Sequence, residues 1–226
     1  ILYSGIIYNH VFHYPKALES FRLVEEKYTT LLDTSEKVLL LNYLGKSYFQ
    51  SSQNEESEKY FLAAEKLAKQ YNDKFALMLC LAFLGAINSR KNEFNKALRY
   101  AKRVDTLTKQ IGDADGVQVN LLNLGNVHNK LEKYNEGIKL ASRGIAAAKR
   151  MKDGLSEIRG YQIMAEIFRK KKDYKSAVMY QMIYTKFYED FYQRNDRQQV
   201  AQIEYQFAIQ RLEQKIQELK HQVTKK

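Results

Sequence analysis

Every 40 residues this chain returns to a small residue: Gly5, Gly45, Gly85, Gly125 and Ala165. Twelve positions after each stands a second small residue, Ala17, Ser57, Ala97, Gly137 and Ala177. A period of this length constrains the fold more than any local propensity, because each unit can bury its apolar face only against its neighbours. A small residue where two helices cross lets the backbones approach, and large residues on either side fill the grooves.

The flanking positions keep the same register. Between the two small residues lies an aromatic at Tyr14, Phe94, Tyr134 and Tyr174, with Asn54 the departure. Beyond them come Phe21, Phe61, Ala101, Ala141 and Gln181, then Val24, Ala64, Val104, Gly144 and Tyr184. One proline and ten glycines leave few obligatory turns in 226 residues, so the chain reads as all-α. First helices are expected at about 1–11, 35–51, 74–91, 114–131 and 154–171, and second helices at 15–31, 55–71, 94–111, 134–151 and 174–193. Pro15 falls in the first turn of a second helix, where its missing N–H is harmless. Asp33-Thr34-Ser35 supplies a capping oxygen for the helix that follows.

The stretches NYLGKSY, AFLGAIN and LNLGNVH, with an aromatic-x-x-Ala opening the second helix, resemble tetratricopeptide repeats over residues 1–190. The unit exceeds the usual length of about 34 residues and is similar to the longer form in kinesin light chains and bacterial regulatory solenoids. Endings such as KQYNDKF, KQIGDAD and KRMKDGL recur in that longer class. The resemblance implies a right-handed superhelical solenoid of five helix-turn-helix repeats, at about 1–33, 34–73, 74–113, 114–153 and 154–193, followed by a C-terminal helix over 194–226.

In that last segment Tyr205 stands where a small residue is due, and Asp196 and Gln199 are spaced as a capping box. Val200, Ile203 and Phe207 form a short stripe suited to covering the final repeat. Ile209, Leu212, Ile216, Leu219 and Val223 then alternate by three and four, as in a short coiled-coil seam, which reads either as a self-association surface or as a solvated tail whose apolar side folds back on the solenoid. Long repeats joined to a helix such as EYQFAIQRLEQKIQELKHQ resemble bacterial signalling proteins and transcriptional regulators, in which a repeat region feeds an output domain. Ile1, in place of methionine, runs straight into helical pattern, which fits a piece of a longer polypeptide.

A superhelix of this type implies a groove lined by the first helices, at three before and one, four and five after each glycine. Those positions hold Asn42, Lys46, Phe49 and Gln50; Ala82, Ala86, Ser89 and Arg90; Leu122, Asn126, Asn129 and Lys130; and Gln162, Glu166, Arg169 and Lys170. Amides can pair with the backbone of an extended peptide and cations with its carboxylates, so a protein or peptide partner is expected there. The clamp of tetratricopeptide co-chaperones is not reproduced: Leu2 and Ile6 stand in its place, and Asn42 and Lys46 reverse its order.

Formal net charge is +11. Lys and Arg are interleaved with Asp and Glu, which reads as a solvated surface; a basic solenoid binding nucleic acid and a purely structural dimerisation module remain the alternatives. The Arg169-Lys170-Lys171-Lys172 run lacks interleaved aromatics for base stacking. His10 and His13 have no third ligand beside them, and His128 falls on a packing position taken by Tyr8, Tyr48, Asn88 and Phe168. No phosphate loop, nucleophile elbow or spaced carboxylate pair is present, so no enzymatic role, cofactor or metal is expected. Cys80 is the lone cysteine and no run is long enough to span a bilayer, so a soluble segment in cytoplasm or periplasm is expected.

Overall fold

Helix ends in this chain are set by backbone closure as much as by residue type. The computed structural model describes residues 1–10, 13–191 and 193. Among these, ten α-helices follow one another: α1 Leu2–His10, α2 Tyr14–Lys27, α3 Thr34–Gln50, α4 Asn54–Gln70, α5 Lys74–Arg90, α6 Phe94–Ile111, α7 Ala114–Lys130, α8 Tyr134–Met151, α9 Gly154–Lys170 and α10 over 174–191. The expected C-terminal helix and its seam, Ile209 to Val223, lie outside the described residues.

Residues 52, 72, 92, 112, 132, 152 and 172 all have positive φ, between 56° and 76°. The residue after each donates its N–H to a carbonyl five back, as Asp73 does to Ala68 and Asp153 to Ala148. This is the Schellman closure, which satisfies the orphan carbonyls of the preceding helix. Only Gly112 takes the left-handed conformation without a Cβ penalty; Ser52, Asn72, Asn92, Glu132, Lys152 and Lys172 are held there by the turn.

N-termini are capped where aspartate is available. Asp33 forms a capping box with Glu36, and Asp73 and Asp153 accept from the N–H groups of Ala76 and Ser156. Pro15 sits in the first turn of α2. That helix ends at Lys27 rather than at 31, and a 3₁₀ turn at Thr29–Leu31 follows. The Thr29 hydroxyl donates to the Glu25 carbonyl, competing with helical continuation.

Helices pair antiparallel, first with second, and the pairs stack. The buried ring of Phe61 lies over Gly45, where an added Cβ would stand 2.9 Å from Cε2. Gly5 and Phe21 repeat the arrangement at 2.6 Å. At Gly125 a Cβ would meet backbone instead, 3.1 Å from the Ala141 nitrogen and 3.2 Å from the Gly137 carbonyl. The first helices of successive repeats touch one another, α1 to α3, α3 to α5, α5 to α7 and α7 to α9; among the described residues the second helices make no comparable contacts. The row α1, α3, α5, α7, α9 therefore forms the inner, concave side.

Buried apolar clusters join most neighbours. Leu2, Phe21, Val24, Leu40, Leu44 and Tyr48 bridge repeats one and two. Phe61, Cys80, Leu84 and Ile87, with Val38, Ala68 and Ala76, bridge two and three. Leu122, Ile145, Tyr161, Met164 and Ile167 bridge four and five. The remaining cluster, around Met78, Leu81 and Val104, stays within repeat three, so among the described residues none spans repeats three and four. At the C-terminal end α10 leaves Tyr174, Val178 and Met182 exposed.

Candidate partner-binding groove

The inner face of α3, α5, α7 and α9 narrows between α5 and α7 into a cleft of about 530 Å³. Its wall includes Phe49, Ala82, Ala86, Ser89, Arg90 and Asn126 from the expected groove register. It also includes residues outside that register: Leu79 and Val119 together with Arg159, six before the small residue, and Phe83 and Asn123, two before it. Side chains on a helix lean toward its N-terminus, so an inner surface draws on positions earlier than those nearest the glycine.

Two guanidinium groups line this cleft and no carboxylate does. Arg90 lies flat on Phe49, its Cζ 3.5 Å from the ring centroid, and donates to the Phe49 carbonyl at 2.8 Å and the Asn54 amide oxygen at 3.2 Å. Arg159 donates to the Asn123 amide oxygen at 2.5 Å. Both groups are thus held in place by neutral partners. Lys46, at the Ala86 and Asn126 register on α3, stands 5.6 Å from the Tyr43 centroid. Neighbouring groups partly desolvate Lys46, Arg90 and Arg159 and pull them below their ordinary pKa values, although both arginines keep exposed surface.

The C-terminal part of the face differs. Lys130 pairs with Glu166 at 2.8 Å, and Lys170 approaches the same carboxylate at 3.8 Å, so charge there is partly cancelled. Gln50, Gln162 and Arg169 are exposed, and Asn42 accepts from the Cys80 thiol at 3.2 Å. Burial raises that thiol to about 12, which keeps it protonated.

Two residues expected on the groove are not available to a partner. Asn129 is fully buried: its register turns toward α8, where an added Cβ at Gly137 would stand 3.5 Å from the Asn129 nitrogen. Leu122 is likewise buried and packs against Gly144. Arg159 was the residue sequence reasoning missed, yet it carried a signal. Its register holds Leu39, Leu79 and Val119 in the preceding repeats, and a charge at an otherwise apolar position marks a changed environment. His10 stands apart from this face's centre, with Nε2 3.2 Å from the Tyr43 hydroxyl, and His128 is half-buried with Nδ1 unpartnered among the described residues.

No protein-family model and no curated protein matches the chain. Solved structures do. The apo form of RapI is 15% identical, with a TM-score of 0.73 over 84% of this chain and 69% of that one. A signal transduction ATPase with numerous domains and a tetratricopeptide repeat sensor, from Pyrococcus horikoshii, is 20% identical, with a TM-score of 0.70 over 85% of this chain and 30% of that one. A Rap protein complexed with competence and sporulation factor is 18% identical, with a TM-score of 0.73 over 82% of this chain and 52% of that one. The chain thus spans about a third to two-thirds of the length of these proteins. Their likeness settles the architecture: an all-α solenoid of tetratricopeptide-like repeats.

Proposed function

From a tetratricopeptide-like solenoid with a cationic, carboxylate-free cleft on its inner face, we propose a scaffold that holds an extended acidic segment of a peptide or protein. The observation that carries this reading is the pair Arg90 and Arg159, which line one cleft with no acid beside them. Each is oriented by neutral groups, so a ligand carboxylate would gain charge-assisted hydrogen bonds without displacing an existing ion pair. Asn126 and Ser89, on the same wall, offer backbone partners to an extended chain.

The wider role we assign is sensory or regulatory, within a larger bacterial signalling protein or transcriptional regulator. The Pyrococcus protein's sensor and the Rap protein's complex with competence and sporulation factor support this by analogy of fold. Residues 209–223 would pass the occupied state to a second copy or an output domain.

Selection of displayed random heptapeptides tests the groove. The wild-type chain should enrich heptamers rich in Asp and Glu, and the triple variant Arg90→Gln, Asn126→Ala, Arg159→Gln should not, while keeping its helical signal. Equal enrichment on both proteins would remove the groove from consideration.

A further inference from the structure

The cleft lies at a junction that lacks the pair of rings the two preceding junctions have, and that nothing else fills. Sixteen residues after each register glycine, and two before the next, stand Phe21 with Tyr43 and Phe61 with Phe83. The rings stack at centroid distances of 5.7 and 4.6 Å, each phenylalanine seated over its glycine. Between repeats three and four the same positions hold Ala101 and Asn123. Gly85 keeps the seat, but only the Tyr100 Cβ, at 3.3 Å, and the Ala97 carbonyl, at 3.7 Å, come near it. At the next junction Ala141 and Ile163 also lack rings, but there Leu122 and Ile145 press against Gly144 and Gly160 and close the space.

The vacated seat opens onto the groove and is lined by Leu79, Phe83, Ala97, Ala101 and Val119. One buried polar side chain lines it as well. Asn120 is 2% exposed; its Nδ2 donates to the Ala101 carbonyl at 3.0 Å, while its Oδ1 has no hydrogen-bond partner among the described residues. A buried amide oxygen without a donor is costly, and a ligand that brings a donor removes that cost.

We propose that this cleft is a side-chain slot for a tryptophan or tyrosine of the bound segment, with the carboxylate of an adjacent Asp or Glu held by Arg159 at the rim. The ring replaces the missing stacked pair, and its N–H or O–H supplies the donor that Asn120 Oδ1 lacks. Phenylalanine or leucine fills the same space but leaves the oxygen unpaired. This rests on the groove reading above and adds to it which residue enters and where.

The heptapeptide selection, repeated on Ala101→Phe and Asn120→Leu, tests the slot separately from the groove. Ala101→Phe installs the residue that repeats one and two already carry at that position. On the wild-type chain Trp or Tyr should be enriched beside Asp or Glu. Ala101→Phe should lose the aromatic preference and keep the acidic one, and Asn120→Leu should shift it toward Phe and Leu. The chain has no tryptophan of its own, so a selected Trp heptamer reports directly. Its emission should move to shorter wavelength on the wild type, and not on Ala101→Phe. Acidic heptamers without aromatic enrichment on the wild type, or an unchanged aromatic preference on both variants, overturn the slot and leave the groove standing. No enrichment of any heptamer overturns both.

Discussion

The junction between repeats two and three and the junction between repeats three and four share one register and differ in what fills it. The first is closed by Phe61 stacked on Phe83 and by a buried cluster that includes Cys80, Leu84 and Ile87. The second is crossed by Asn120 bonding to the Ala101 carbonyl, with Asn123 turned to Arg159, and no apolar cluster spans it among the described residues. A solenoid's cohesion is the sum of such nearest-neighbour interfaces. One interface has been given to packing, and the next has surrendered packing to leave an opening with polar lips.

That contrast can be broken most forcefully at its packed end. Phe61→Ala should cost about 3–5 kcal/mol of unfolding free energy, because it empties a fully buried seat over Gly45. The loss should be confined to repeats one to three, since no apolar cluster carries it across the open junction. Hydrogen exchange should show α3 to α6 losing protection while α8 and α9 keep theirs. Uniform loss along the whole chain would mean that the open junction couples as strongly as the packed one. The Cys80 thiol, inert in the folded state, gives a second readout, since its alkylation should quicken in this variant.

A smaller effect is expected at the crossing glycines. Gly125→Ala should destabilise by about 1–3 kcal/mol, since its Cβ meets the Ala141 nitrogen and the Gly137 carbonyl, backbone that cannot yield locally. Gly85→Ala faces only the Tyr100 Cβ at 3.3 Å, and the helix gain of about 1 kcal/mol should leave its midpoint in urea unchanged or raised. Matching losses in the two variants would show that the cleft gives α5 and α6 no freedom to adjust.

The smallest effect concerns pH. His128 in α7 occupies the register that Tyr48 fills in α3, and burial, helped by Lys133, lowers its pKa. A base whose folded pKa lies below its unfolded value is less protonated folded than unfolded. Its contribution to stability is therefore present above about pH 6.5 and lost as pH falls through that value toward the folded pKa. His128→Gln should flatten stability against pH in this window; an unchanged slope would assign the acid sensitivity to other groups.

The scaffold was legible in the sequence because close approach demands small residues at fixed intervals. Gly45 and Ser57 could be read as a crossing, where the Ser57 hydroxyl donates to the Gly45 carbonyl, and helix ends placed within a residue or so, apart from α2, where Thr29 draws the chain into a 3₁₀ turn. The groove was legible only in part. Phe49, Arg90 and Asn126 line the cleft, but Asn129 turned into the α7–α8 crossing, because a residue one turn past the glycine points between the helices as readily as away from them. Arg159 was missed because the lean of side chains along the helix brings earlier positions into the hollow. The cleft itself is an absence of rings, which periodicity shows only when the same column is read down all the repeats.

The seven left-handed turns stand 20 residues apart, although the side chains repeat every 40. Turns that are geometrically interchangeable give the backbone no address: a helix could pair with the wrong neighbour one repeat out of step and close its turns just as well. Misregistered stacks are excluded only by what differs between repeats. The ring pairs, the buried asparagines and the one unfilled seat are those differences. The irregularity that creates an opening for a guest thus also tells the folding chain which repeat is which.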